Sequence, residues 1–74
     1  MNPLKIIGGN IKKIREEKFI KQQTLAKQLG LTKGRISQIE NGECAELSLQ
    51  CLIKIAIYLE TDFLILLPPY NSAC

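Results

Sequence analysis

The 74-residue chain has no histidine, only four aromatic residues, and three cysteines at positions 44, 51 and 74 with no C-x-x-C pair among them. Without histidine, no Ser-His-Asp or Cys-His set for nucleophilic catalysis can form, and the usual ligand spacings of structural zinc are missing. An odd cysteine count with no short pairing argues against a disulfide framework. Cys51 falls in a helical pattern and reads as a small apolar residue; Cys74 reads as a free thiol at a loose end. Gly8-Gly9 lacks both the further glycines and the preceding strand of a phosphate loop. No apolar run approaches the roughly 20 residues of a membrane helix, and MNPLKIIGGNIKK lacks the apolar core of a signal peptide. The expectation is a cytoplasmic protein that is not an enzyme and carries no metal and no cofactor.

What is present is a globular composition with an uneven charge. Hydrophobic residues make up 46% of the chain, too many for a disordered tail. A chain of this size buries only about 60% of the surface that its unfolded form exposes, so a partner subunit would help it. Residues 1–39 hold nine lysines and arginines against Glu16 and Glu17, a balance of +7. Residues 40–74 hold only Lys54 against five acids, a balance of −4. Such asymmetry suggests an anionic partner for the first half, most often nucleic acid.

Apolar periodicity predicts one all-α domain over 1–74. A first helix is expected to begin near Gly9 or Asn10, with Ile7, Ile11 and Ile14 at helical spacing and Lys12, Lys13, Glu16 and Glu17 on the other faces. Lys21 and Gln22 open a second helix carrying Leu25, Ala26 and Leu29, which Gly30 ends. Thr32 is a suitable N-cap for a third helix with Ile36 and Ile39 inward, and Asn41-Gly42 ends it. Ser48 caps a fourth, apolar helix. FLILL, residues 63–67, follows before Pro68-Pro69 stops the structure.

Residues 22–42 thus form two short helices around a tight turn, a helix-turn-helix. In such a unit the first helix crosses the DNA backbone and the second enters the major groove. Gly30 is expected to permit the sharp turn because a side chain there would collide with the backbone. Small Ala26 would let the two helices approach closely.

The stretches IGGNIKKIREEK, QQTLAKQLGLTKGRISQIENG and LSLQCLIKIAIYL resemble the lambda-repressor-like helix-turn-helix family, also called the XRE or Cro and cI type. Together they cover about 50 of the 74 residues, in the family's order and spacing. The resemblance implies a compact four- or five-helix domain. It implies that Gln22 contacts a phosphate and braces the recognition helix. Thr32 caps that helix. Lys33, Gly34, Ser37 and Gln38 face the groove, where Gln38 can pair with adenine and Lys33 can reach guanine. Arg35 turns toward a phosphate or a flanking base edge, and Asn41 offers its backbone N–H to phosphate. Lys12, Lys13 and Lys27 add phosphate contacts. Arg15 and Glu40 match a structural ion pair between helices 1 and 3.

Three departures stand out. Gly34 replaces a side chain that often reads a base. The loop 43–47 is acidic where relatives are often basic. Glu60 replaces a glycine common after helix 4. The FLILL segment, Phe63, Leu64, Ile65, Leu66 and Leu67, is apolar where water would be faced. Each such side chain left exposed forgoes roughly 1.5–3 kcal/mol. It is therefore expected to bury against a second subunit, as a short strand paired across a two-fold axis or as a short helix, the strand being preferred. The alternative is that it caps its own core. The resulting expectation is a sequence-specific regulator, a repressor acting as a homodimer on a near-palindromic site of double-stranded DNA. The competing reading is an antitoxin-like module docking a toxin-like protein, with DNA binding secondary.

Overall fold

The computed structural model describes residues 2–68, and these form five helices: α1 Pro3–Glu17, α2 Gln22–Leu29, α3 Lys33–Glu40, α4 Leu49–Tyr58 and α5 Phe63–Leu66. Four of them start on a side-chain cap. Asn2 Oδ1 accepts from the Leu4 N–H, Thr32 Oγ1 from Arg35, Ser48 Oγ from Cys51 and Asp62 Oδ1 from Leu64. Each satisfies a donor that the first helical turn leaves unpaired.

The four longer helices end alike. In each, an N–H reaches back five residues to a carbonyl: Ile20 to Arg15, Leu31 to Ala26, Glu43 to Gln38 and Thr61 to Ala56, at 2.8–3.0 Å. This closure requires one left-handed residue. Gly30 and Gly42 supply it at φ 70° and 74°, and Phe19 and Glu60 supply it at 58° and 53°. A Cβ on Gly30 would meet nothing within 4 Å. Its role at the turn is therefore conformational: at φ 70° a side chain would strain against its own adjoining backbone, not against another element.

The core draws on every helix, including Ile11 from α1, Leu25 from α2, Ile36 and Ile39 from α3, Ile55 from α4 and Leu66 from α5. α3 packs against α1 and α2; α4 packs against α2 and α5, and α5 also packs on α1. Ala26, 2% exposed, lies in this core. The thiols of Cys44 and Cys51 are free, Cys44 buried and Cys51 half-buried. Burial, reinforced by Cys44, pushes the Cys51 thiol pKa up against the opposing pull of Lys54 and Arg35. A thiol shifted that way is a poor nucleophile.

Two expectations are corrected. α1 begins at Pro3, well before Gly9, because Asn2 caps it and Pro3 occupies its first turn. The helix runs through Gly8, and a Cβ there would stand 2.6 Å from the Glu40 carbonyl oxygen. Gly8 is thus the point where α1 lies against the end of α3.

The second correction concerns FLILL, which is one helical turn and not a strand. Leu66 is fully buried in the domain's own core, with Phe63 and Leu67 half-buried against it. Only Leu64 and Ile65 point outward, at 68% and 57% exposure. The Asn10 amide holds the segment by donating to the Leu66 carbonyl at 3.1 Å. Pro68 follows, while Pro69 and Cys74 lie outside the described residues. Among the described residues no helix is long and apolar enough to cross a membrane.

Candidate nucleic-acid interface

The geometry of the α2–α3 unit is set by one buried carboxylate. Glu40, on the last turn of α3, receives Arg15 Nε at 2.6 Å on one oxygen. Arg15 Nη2 at 3.1 Å and Gln22 Nε2 at 2.9 Å share the other. Arg15 Nη1 donates to the Ile20 carbonyl at 2.6 Å, which fixes the loop into α2. The ion-pair side chains are 8% and 1% exposed. Breaking such a pair by removing one partner typically costs about 3–5 kcal/mol, because the other charge stays buried. The expected pairing of Arg15 with Glu40 is present, and Gln22 extends it. From the first residue of α2, Gln22 braces α3 through Glu40.

The outward side of α3 is polar. Thr32, Lys33, Gly34, Gln38 and Asn41 are exposed, and Ser37 and Arg35 are half-buried. Ile36 and Ile39 anchor the opposite side in the core. A Cβ at Gly34 would meet only Thr32 Oγ1, at 4.0 Å, so the outer surface of α3 is open there. On α2, Gln23, Thr24, Lys27 and Gln28 are exposed and line one shallow depression together with Lys21.

Not every predicted contact is placed as expected. The Asn41 backbone N–H donates to the Ser37 carbonyl at 3.0 Å and is unavailable to phosphate. Its amide side chain, 3.5 Å from Ser37 Oγ, is the exposed group instead. Lys13 lines the α1–α5 seam with Asn10, Glu17 and Ile65, a cleft that includes no residue of α2 or α3. Lys12 is exposed on α1. Arg35 Nη2 stands 3.7 Å from Glu46 Oε2, in the acidic loop after α3. Neither that pairing nor the Gly8 approach is legible in the sequence, since both depend on distances across the fold.

A short helix with a polar outer face, rigidly braced by a preceding helix across a glycine turn, is the DNA-docking unit of a helix-turn-helix protein. The helix-turn-helix family profile matches residues 11–66. An ImmF control region 10 kDa protein of Bacillus phage phi105 is 40% identical over 62 residues, covering 84% of this chain and 68% of that protein. Among solved structures, the restriction-modification controller C.AhdI from Aeromonas hydrophila superposes with a TM-score of 0.78 at 28% identity. That match covers 85% of this chain and 94% of the controller. Hydroxypropylphosphonic acid epoxidase from S. wedmorenis superposes with a TM-score of 0.87 at 33% identity over 95% of this chain, which spans only 37% of the epoxidase.

The chain belongs to the helix-turn-helix family, in its lambda-repressor-like (XRE) branch. It is a DNA-binding transcriptional regulator.

Proposed function

We propose that the chain is a sequence-specific repressor that binds a near-palindromic operator as a homodimer in the cytoplasm. The observation that carries this reading is the polar α3 face, fixed to α1 and α2 by the Arg15–Glu40–Gln22 cluster. Lys33, Ser37 and Gln38 read base edges; Gln22, Lys27 and Lys12 meet phosphates. Repression then needs only occupancy of the operator. No catalysis is assigned to the chain, and the epoxidase's chemistry belongs to an enzyme of which this fold is a minor part.

The dimer is supported by a second surface. Leu49, Ile53 and Ile57 recur every four residues along α4 at 61%, 41% and 71% exposure, and Leu64 and Ile65 of α5 are exposed as well. The three α4 positions lie on one helical stripe. An apolar stripe of this kind suits an isologous contact, in which the same patch serves both copies. Two recognition helices would then meet successive major-groove faces about 34–36 Å apart. A toxin-like partner would use the same surface, and co-purification of a stoichiometric second protein would favour it.

Selection of bound duplexes from a random pool tests the reading. Two inverted half-sites with centres about 10–10.5 base pairs apart are expected; an asymmetric single site would contradict the dimer. Gln38→Ala should lose discrimination at one base step by about 1–3 kcal/mol. Unchanged affinity for the site and its point variants would remove Gln38 from the reading set.

A further inference from the structure

Arg35 is the last cation before Lys54, and between them the chain places Glu40, Glu43 and Glu46. Glu40 is committed to Arg15 and Gln22. Glu43 and Glu46 are exposed in the loop that follows the recognition helix. Arg35 and Gln38 line one cleft together with Glu43, Cys44, Ala45 and Glu46. The Arg35 head stands 3.7 Å from the Glu46 carboxylate, and both residues line a second cleft with Cys51 of α4. The side chain is therefore drawn back over the seam between α3 and the loop. It sits in the third position of the helix that enters the groove, where a free guanidinium would reach a phosphate or a guanine edge.

We propose that Glu46 is a positioning residue that withholds Arg35 from DNA. Its carboxylate occupies the guanidinium in the place a phosphate would take. Glu43 and Glu46 together repel the backbone at the edge of the docking face. The pair is solvent-exposed on the Glu46 side, at 86%, so it is weak and salt-screened. Its effect is to hold affinity for any duplex below what the basic half of the chain could give. Operator occupancy then depends more on base contacts and on the second subunit than on attraction to the backbone. This inference rests on the DNA-docking reading of α3.

The test is a double-mutant cycle on Arg35→Ala and Glu46→Gln, read by fluorescence anisotropy with a random-sequence duplex at low and high salt. Glu46 is largely exposed, so its substitution leaves the core intact. Glu46→Gln should bind about two- to tenfold more tightly at low salt, and the advantage should fade as salt rises. Arg35→Ala should weaken binding more in the Glu46→Gln background than in the unmodified chain. Glu46→Gln binding no tighter than the unmodified protein would overturn the proposal. So would an Arg35→Ala effect of the same factor in both backgrounds, since Glu46 would then act by repulsion alone. Failure of the unmodified protein to bind any duplex would instead overturn the DNA-docking assignment itself.

Discussion

Both oxygens of the Glu40 carboxylate are occupied, one by Arg15 and the other by Arg15 and Gln22. Glu40→Ala would leave the Arg15 guanidinium in the core with only the Ile20 carbonyl as partner. The expected loss is about 3–5 kcal/mol, a large share of the stability of a domain this small. Urea denaturation monitored by circular dichroism measures it. Two other residues are in tension with their backbone. Phe19 and Glu60 hold left-handed angles that cost an L-residue roughly 1–2 kcal/mol. Both are exposed, so replacing them removes no core contact. Phe19→Gly and Glu60→Gly should each stabilise the fold by about 0.5–1 kcal/mol, the gain being reduced by glycine's greater freedom in the unfolded chain. A lower denaturation midpoint in either variant would contradict this account.

At the scale of elements, the fold hangs on how closely α1 passes the end of α3. Gly8→Ala would drive a methyl group into the carbonyls of Ile39 and Glu40, and these belong to backbone that cannot swing aside. A destabilisation of about 1–3 kcal/mol is expected, whereas Gly9→Ala, with nothing within 4 Å, should be neutral or stabilising. Comparing the two midpoints separates packing from helix propensity. Gly8 also shows where reading a sequence runs out. Two adjacent glycines signal a helix boundary by propensity alone, and α1 passes through them because tertiary contact outweighs that preference. The caps at Thr32 and Ser48 and the ends at Gly30 and Gly42 were legible because they are local chemistry. The Glu60 departure was legible too, although only its φ of 53° explains it. The state of FLILL was not, since a five-residue apolar run has no period to distinguish one helical turn from a strand. Likewise, Asn41 could be placed at the end of α3 by pattern, but not its N–H on Ser37.

For the whole molecule, two surfaces with opposite chemistry share one small body. The polar outer side of α3 suits DNA, and the apolar stripe of α4 suits a second copy. If that stripe is the dimer contact, Ile57→Lys, at a position 71% exposed in the single chain, should shift the protein toward monomer with little change in subunit stability. Sedimentation at micromolar concentration reads this directly, and an unaltered dimer would move the interface elsewhere. The monomeric variant should also bind the two-half-site operator much more weakly than the parent, with about the affinity of a single half-site, because linked binding is lost.

The open surface at Gly34 bears on how such a regulator could change its target over generations. A Cβ added there meets no neighbour except the Thr32 hydroxyl at 4.0 Å, and the position is exposed, so new residues can be tried without repacking the domain. Every glycine codon lies one base change from an arginine codon, and arginine is the commonest reader of guanine in the major groove. A single point mutation could therefore redirect the protein to a related operator while the fold, the brace at Glu40 and the apolar stripe stay as they are. The position that now reads nothing is the one through which a lineage could most cheaply acquire a new address.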